Sequence, residues 1–217
     1  MHYVYKIKLT NISSVSNIIT NMLQINRAFE CVKFMSEKWK IDESHALKHS
    51  MDVYKFAQDI YKTELEKDEN LKEQWTIIGL SAILHDMCDK KYMKEEDGVK
   101  DIRLFMGNTV SCAEMDMIVN IITTMSYSKV KKNGYPELGE YMMAYHIVRE
   151  ADLLAAYDID RCIIFGMMVD KLDYSEAVVR ATKLFSERVL NYRSDGLFVT
   201  DFSIQKSAEL HDWALRR

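Results

Sequence analysis

From residue 13 onward, apolar side chains recur every three or four positions. This period predicts helices near residues 13–23, 26–38, 43–64, 71–88, 94–106, 111–125, 137–156, 159–169, 174–191 and 203–215. The breaks between them are short and polar. Asp42 and Ser44 offer caps to the third of these helices and Asn70 to the fourth, while Lys131, Lys132, Asn133, Gly134 and Pro136 mark the clearest loop. Two stretches depart from the helical period. Tyr3, Tyr5, Ile7 and Leu9 alternate with less apolar positions, as in a short strand or an extended arm. Phe198, Val199 and Thr200, led in by Gly196, suggest a small strand or edge turn before the last helix. The segment from Trp75 to Met87 is apolar on nearly every side, so as a helix it belongs in the middle of the molecule.

Composition sharpens this into an all-α expectation: the 217 residues contain one proline and seven glycines, and are otherwise rich in good helix formers. With 48% apolar residues the chain can bury a proper core, and no repeat, low-complexity tract or flexible linker divides it. One helical domain over residues 26–217 with an N-terminal extension over 1–25 is the expected organisation. A net charge of -4 gives no electrostatic reason to expect a nucleic-acid polymer or an anionic membrane as partner. Cys31, Cys88, Cys112 and Cys162 form no C-x-x-C pair and read as reduced thiols. The N-terminus lacks the pattern of a signal peptide, and no apolar run approaches the length of a spanning helix, so a soluble, cytoplasmic protein is expected.

The chemistry begins where the apolar segment ends, at His85-Asp86. An imidazole and a carboxylate buried together cost several kcal/mol unless both find partners, and a metal ion is such a partner. Alone, the pair also fits a helix end open to water. The preceding helix, however, carries His45 and His49 four residues apart on one face beside Val53, Phe56 and Ala57. Further on, Asp152 interrupts an apolar face formed by Ile147, Val148, Ala151, Leu153 and Ala155. It reads either as a ligand or as a turn cap or partner of Arg149 one turn earlier. Imidazoles and carboxylates together make a mixed nitrogen and oxygen set suited to a transition metal.

The order of a histidine, then His-Asp, then an aspartate on successive helices resembles the HD-domain superfamily of metal-dependent phosphohydrolases. SHALKHSMDVYKFA is similar to that family's opening helix, GLSAILHDMCDKKY to its second block and EADLLAAYDIDR to the region of its final aspartate. IITTMSYSK and FSERVLNYRSDGLFVT extend the likeness over roughly residues 40–200. The resemblance implies an HD-type helical bundle in which His49, His85, Asp86 and Asp152 hold one divalent ion (Mn, Fe, Co, Ni, Zn or Mg). Asp86, Asp89 and Lys91 would then carry the chemistry, with Lys90, Lys129 and Arg161 as candidates for binding a small phosphate ester such as a nucleotide.

This chain departs from the family in two places. Met125 stands where many relatives have a histidine able to support a second metal, which weighs against a di-iron oxygenase on the same scaffold. Leu153 and Ala155 stand where relatives have substrate-contacting residues, which keeps open an inactive helical scaffold acting through a protein partner. His45 reads as a capping, supporting or surface residue, and His2, His146 and His211 have no comparable support. A homodimer is left open.

Overall fold

The computed structural model describes residues 2–216, with side chains described from residue 19 onward. Among these the chain forms ten α-helices and no strand: α1 (His2–Trp39), α2 (Leu47–Leu65), α3 (Trp75–Leu84), α4 (Glu95–Met106), α5 (Cys112–Thr124), α6 (Tyr127–Asn133), α7 (Met142–Ala155), α8 (Ile159–Met168), α9 (Tyr174–Glu187) and α10 (Asp201–Ala214). The all-α expectation holds.

α3 is the axis of the molecule. Every residue from Ile77 to Leu84 is buried, and α1, α2, α5 and α7 pack around it. Each buried Ile or Leu there contributes roughly 1.5–3 kcal/mol by leaving water. Gly79 lets α1 approach closely, because a Cβ on it would stand 3.2 Å from Ile25 Cδ1. α2 lies along α7, and α8 and α9 form a hairpin beside this frame. No described helix is long and apolar enough to cross a membrane.

Several local expectations are corrected. The alternation at Tyr3, Tyr5, Ile7 and Leu9 gives no strand or arm: the backbone of α1 is helical from His2, although the side chains of these four residues lie outside those described. One helix also spans the expected break at residues 24–25 and the expected boundary between extension and domain. Asp42 does not cap α2, which starts at Leu47. Its carboxylate accepts instead from the Ser44 amide at 3.0 Å, closing the preceding turn. Asp68 rather than Asn70 caps the 3-10 turn Glu69–Gln74 that leads into α3, accepting from the Asn70 amide at 3.0 Å. Lys131, Lys132 and Asn133 belong to the short helix α6, and the loop begins at Gly134, whose φ of 78° suits a residue without a side chain.

The stretch around Phe198 and Val199 is neither helix nor strand. The Val199 and Thr200 amides donate to the buried carboxylate of Glu150 at 2.8 and 3.2 Å, and the Thr200 hydroxyl donates at 2.6 Å. A carboxylate on α7 thus takes the backbone donors that a neighbouring strand would have taken.

Candidate metal centre

Three elements that pack on one another bring the polar side chains together. His49 sits in the first turn of α2, His85 just past the end of α3 with Asp86 after it, and Asp152 on α7. The His49 and His85 Nε2 atoms stand 3.0 Å apart. Asp152 Oδ1 lies 3.3 and 3.6 Å from them, and Asp86 Oδ2 lies 3.4 and 3.3 Å from them. Bonds of about 2.1 Å to one ion would place ligand atoms about 3.0–3.4 Å apart, depending on the angle at the metal. His49, His85 and Asp152 therefore form a group able to hold a metal ion.

The local chemistry fits such an ion. His85 Nδ1 donates to the Ala82 carbonyl at 2.9 Å, which fixes the ring and turns Nε2 toward the cluster. Asp86 Oδ2 is buried with no hydrogen-bond partner among the described residues, an arrangement that is costly unless something positive faces it. Neither carboxylate takes the simpler role the sequence allowed: Asp86, just past the end of α3, has Oδ2 buried rather than open to water, and Arg149 donates to the Leu197 carbonyl at 3.0 Å rather than pairing with Asp152.

Electrostatics without the ion tell the same story. Burial, followed by the nearby Arg161 charge, pushes His49 down to about 4. Burial presses His85 the same way, but Asp86 and Asp152 together outweigh it and lift the imidazole to about 10. One proton is thus held between two imidazoles, on His85. Burial alone would raise both aspartates; instead His85 holds Asp86 far below the usual carboxylate range, and hydrogen bonds from His49 and His85 do the same for Asp152. The pair of carboxylates demands positive charge, and a proton is the minimum that satisfies it.

Asp86 and Asp152 line a cavity of about 300 Å³ and, together with His85, an adjoining smaller one of about 150 Å³. Lys91, Arg161, Arg180 and Arg188 line the larger space against Asp86, Asp89, Asp152 and Asp158. Of the residues expected from the sequence, Asp89 and Lys91 line both spaces, Arg161 the larger, and Lys90 and Lys129 the smaller. Lys91 Nζ is held by Asp89 at 3.2 Å and His45 Nε2 at 3.0 Å. Arg161 Nε donates to the Ser44 carbonyl at 2.7 Å while its Nη2 lies 3.9 Å from Asp86. Lys129 is tied to Glu95 and to the Thr123 carbonyl, and Lys90 is exposed.

His45 proves to be a supporting residue. Its Nδ1 lies 2.6 Å from Ser44 Oγ and 2.9 Å from the Tyr92 hydroxyl, and burial pushes it down to about 3, so it is neutral. His146 and His211 sit elsewhere, against Tyr135 and Tyr157, and the His2 side chain is outside those described. The α8–α9 side of the cavity, with Phe165, Arg180, Arg188 and Tyr192, was not expected. Its signal in the sequence is faint: an arginine one turn before a tyrosine in an otherwise ordinary amphipathic stretch.

Among solved structures, a structural-genomics crystal structure from Lactobacillus plantarum aligns with a TM-score of 0.64 over 89% of this chain and 94% of that one, at 17% sequence identity. Likeness at that identity speaks for the fold alone. No family model and no curated protein matches the chain.

Proposed function

We propose that this protein is a metal-dependent phosphohydrolase of the HD-domain type, using His49, His85, Asp86 and Asp152 to hold one divalent ion and acting on a small phosphate ester such as a nucleotide. The observation that supports this most is the placement of His49, His85 and Asp152, from three separate stretches of chain, with donor atoms 3.0–3.6 Å apart, and of Asp86 Oδ2 3.3–3.4 Å from both imidazoles, with Asp86 and Asp152 lining a charged cavity. Four cationic and four acidic side chains line that cavity, so a divalent ion leaves it with excess positive charge, which favours a dianion such as a phosphomonoester. The volume of about 300 Å³ is at the small end for ligand sites and suits a compact substrate.

A divalent ion there supplies Lewis-acid polarisation of a phosphoryl oxygen and acidifies a water molecule. The side chains do the rest. Lys91, braced by Asp89 and His45, presents an ammonium to the substrate anion, and Arg161, braced by Ser44, presents a guanidinium beside Asp86. Asp89 is a cavity carboxylate outside the cluster, close to Asp86 in sequence, and in this reading it accepts a proton from attacking water. Met125 lines the smaller space with a buried thioether, which offers no support for a second iron of an oxygenase. The test is elemental analysis of the purified protein beside phosphate release from a nucleotide panel with Mn, Co, Ni and Mg. About one ion per chain and metal-dependent release are expected; a protein that binds no metal and releases no phosphate contradicts the reading.

A further inference from the structure

The cavity cations differ in what holds them. Lys91 is paired with Asp89 at 3.2 Å, Arg180 with Asp170 at 2.7 Å, and Lys129 with Glu95. Arg161 leans toward Asp86 at 3.9 Å. Arg188 is held by neutral groups: its Nε donates to the hydroxyl of buried Tyr192 at 3.0 Å, and its guanidinium lies over the Tyr127 ring, 4.5 Å from the centre. α9 ends just before Arg188, so the chain turns there; Val189 and Tyr192 enter the core while Arg188 lines both the larger and the smaller space, together with Asp86 and Asp152.

Accordingly, we propose that Arg188 is the substrate-positioning residue of the site, binding the oxyanion oxygens of a phosphate that reaches the His49–His85–Asp86–Asp152 cluster. This rests on the phosphohydrolase reading above. A guanidinium fixed at Nε and backed by a ring keeps its two terminal nitrogens parallel, the geometry that takes two oxygens of a phosphate at once. Tyr127 and Tyr192 set the plane without neutralising the charge, so the ligand supplies the counter-charge. Lys91 and Arg161 stand with Arg188 around the same larger space, which encloses the anion by cations from separate parts of the chain.

The experiment is calorimetric titration of inorganic phosphate into metal-loaded protein, comparing the parent with Arg188→Gln, Arg188→Lys and Tyr192→Phe, with metal content and melting temperature measured on each. Arg188→Gln is expected to weaken phosphate binding by roughly 10- to 100-fold, the usual worth of a lost charge-assisted contact, with bound metal unchanged. Arg188→Lys should restore part of it, and Tyr192→Phe should weaken it less than Arg188→Gln. If Arg188→Gln binds phosphate as the parent does, or only its melting temperature falls, Arg188 is a structural tie between α9 and α6 and the proposal is overturned. A parent that binds metal but no phosphate overturns the phosphohydrolase reading itself, and the role of Arg188 with it.

Discussion

Asp86→Ala removes one of the two carboxylates that face His49 and His85, so the remaining charge no longer balances a divalent ion. Loss of a supporting contact typically costs metal affinity or activity about 10–100-fold, and loss of a ligand is expected to exceed that, measured as metal retained after dialysis and as phosphate released. His45→Asn takes the neutral acceptor away from Lys91. Metal content should stay at the parent level while phosphate release drops about 10-fold, the equivalent of roughly 1.4 kcal/mol of lost positioning. An unchanged rate would show that Asp89 alone suffices to place the lysine. At this scale the sequence was informative for the cluster, because His85-Asp86 and Asp152 are polar residues in apolar runs, and burial makes such residues conspicuous. It was uninformative for Arg188, since an arginine in an amphipathic helix normally faces water, and only the turn after α9 directs this one inward.

Among the elements, the turn carrying His85, Asp86 and Asp89 is held from outside by α4. A Cβ on Gly98 would stand 2.7 Å from the Cys88 Cα, so only glycine lets α4 seat against this turn. Gly98→Ala is expected to destabilise the protein by about 1–3 kcal/mol through overpacking, seen as a lower denaturation midpoint, and to weaken metal binding as the turn shifts. A neutral result would mean that α4 moves freely. Helical periodicity revealed most of these elements, yet missed α6 and placed caps wrongly. Asp42, Ser44 and Asn70 are good cap residues by type, but whether such a side chain closes a helix or a preceding turn depends on where neighbouring helices let the first turn begin. The alternation at Tyr3 to Leu9 suggested extended backbone, and α1 shows that a brief two-residue period does not override a helical context.

For the whole molecule, the metal-free cluster sets a stability optimum. His85 has its pKa raised from 6.5 to about 10 in the folded state, so its contribution is fully present below about pH 6.5 and is lost as pH rises through 10. His49 is lowered from 6.5 to about 4, so the unfolded chain takes up a proton that the folded one refuses, and stability also falls from pH 6.5 toward 4. Metal-free protein should therefore be most stable near pH 6.5, by thermal melts across pH. A bound divalent ion replaces the proton between the imidazoles and should abolish the alkaline decline; parallel curves with and without metal would contradict this.

The most direct test of the account is thermal unfolding at pH 8 with and without a divalent transition metal, on the parent and on Asp152→Asn. At an ion concentration 100 times the dissociation constant, binding to the folded parent alone should add about 2.7 kcal/mol and raise the melting temperature, while Asp152→Asn should respond little. An equal response in both proteins, or none in the parent, would contradict a metal centre at His49, His85, Asp86 and Asp152.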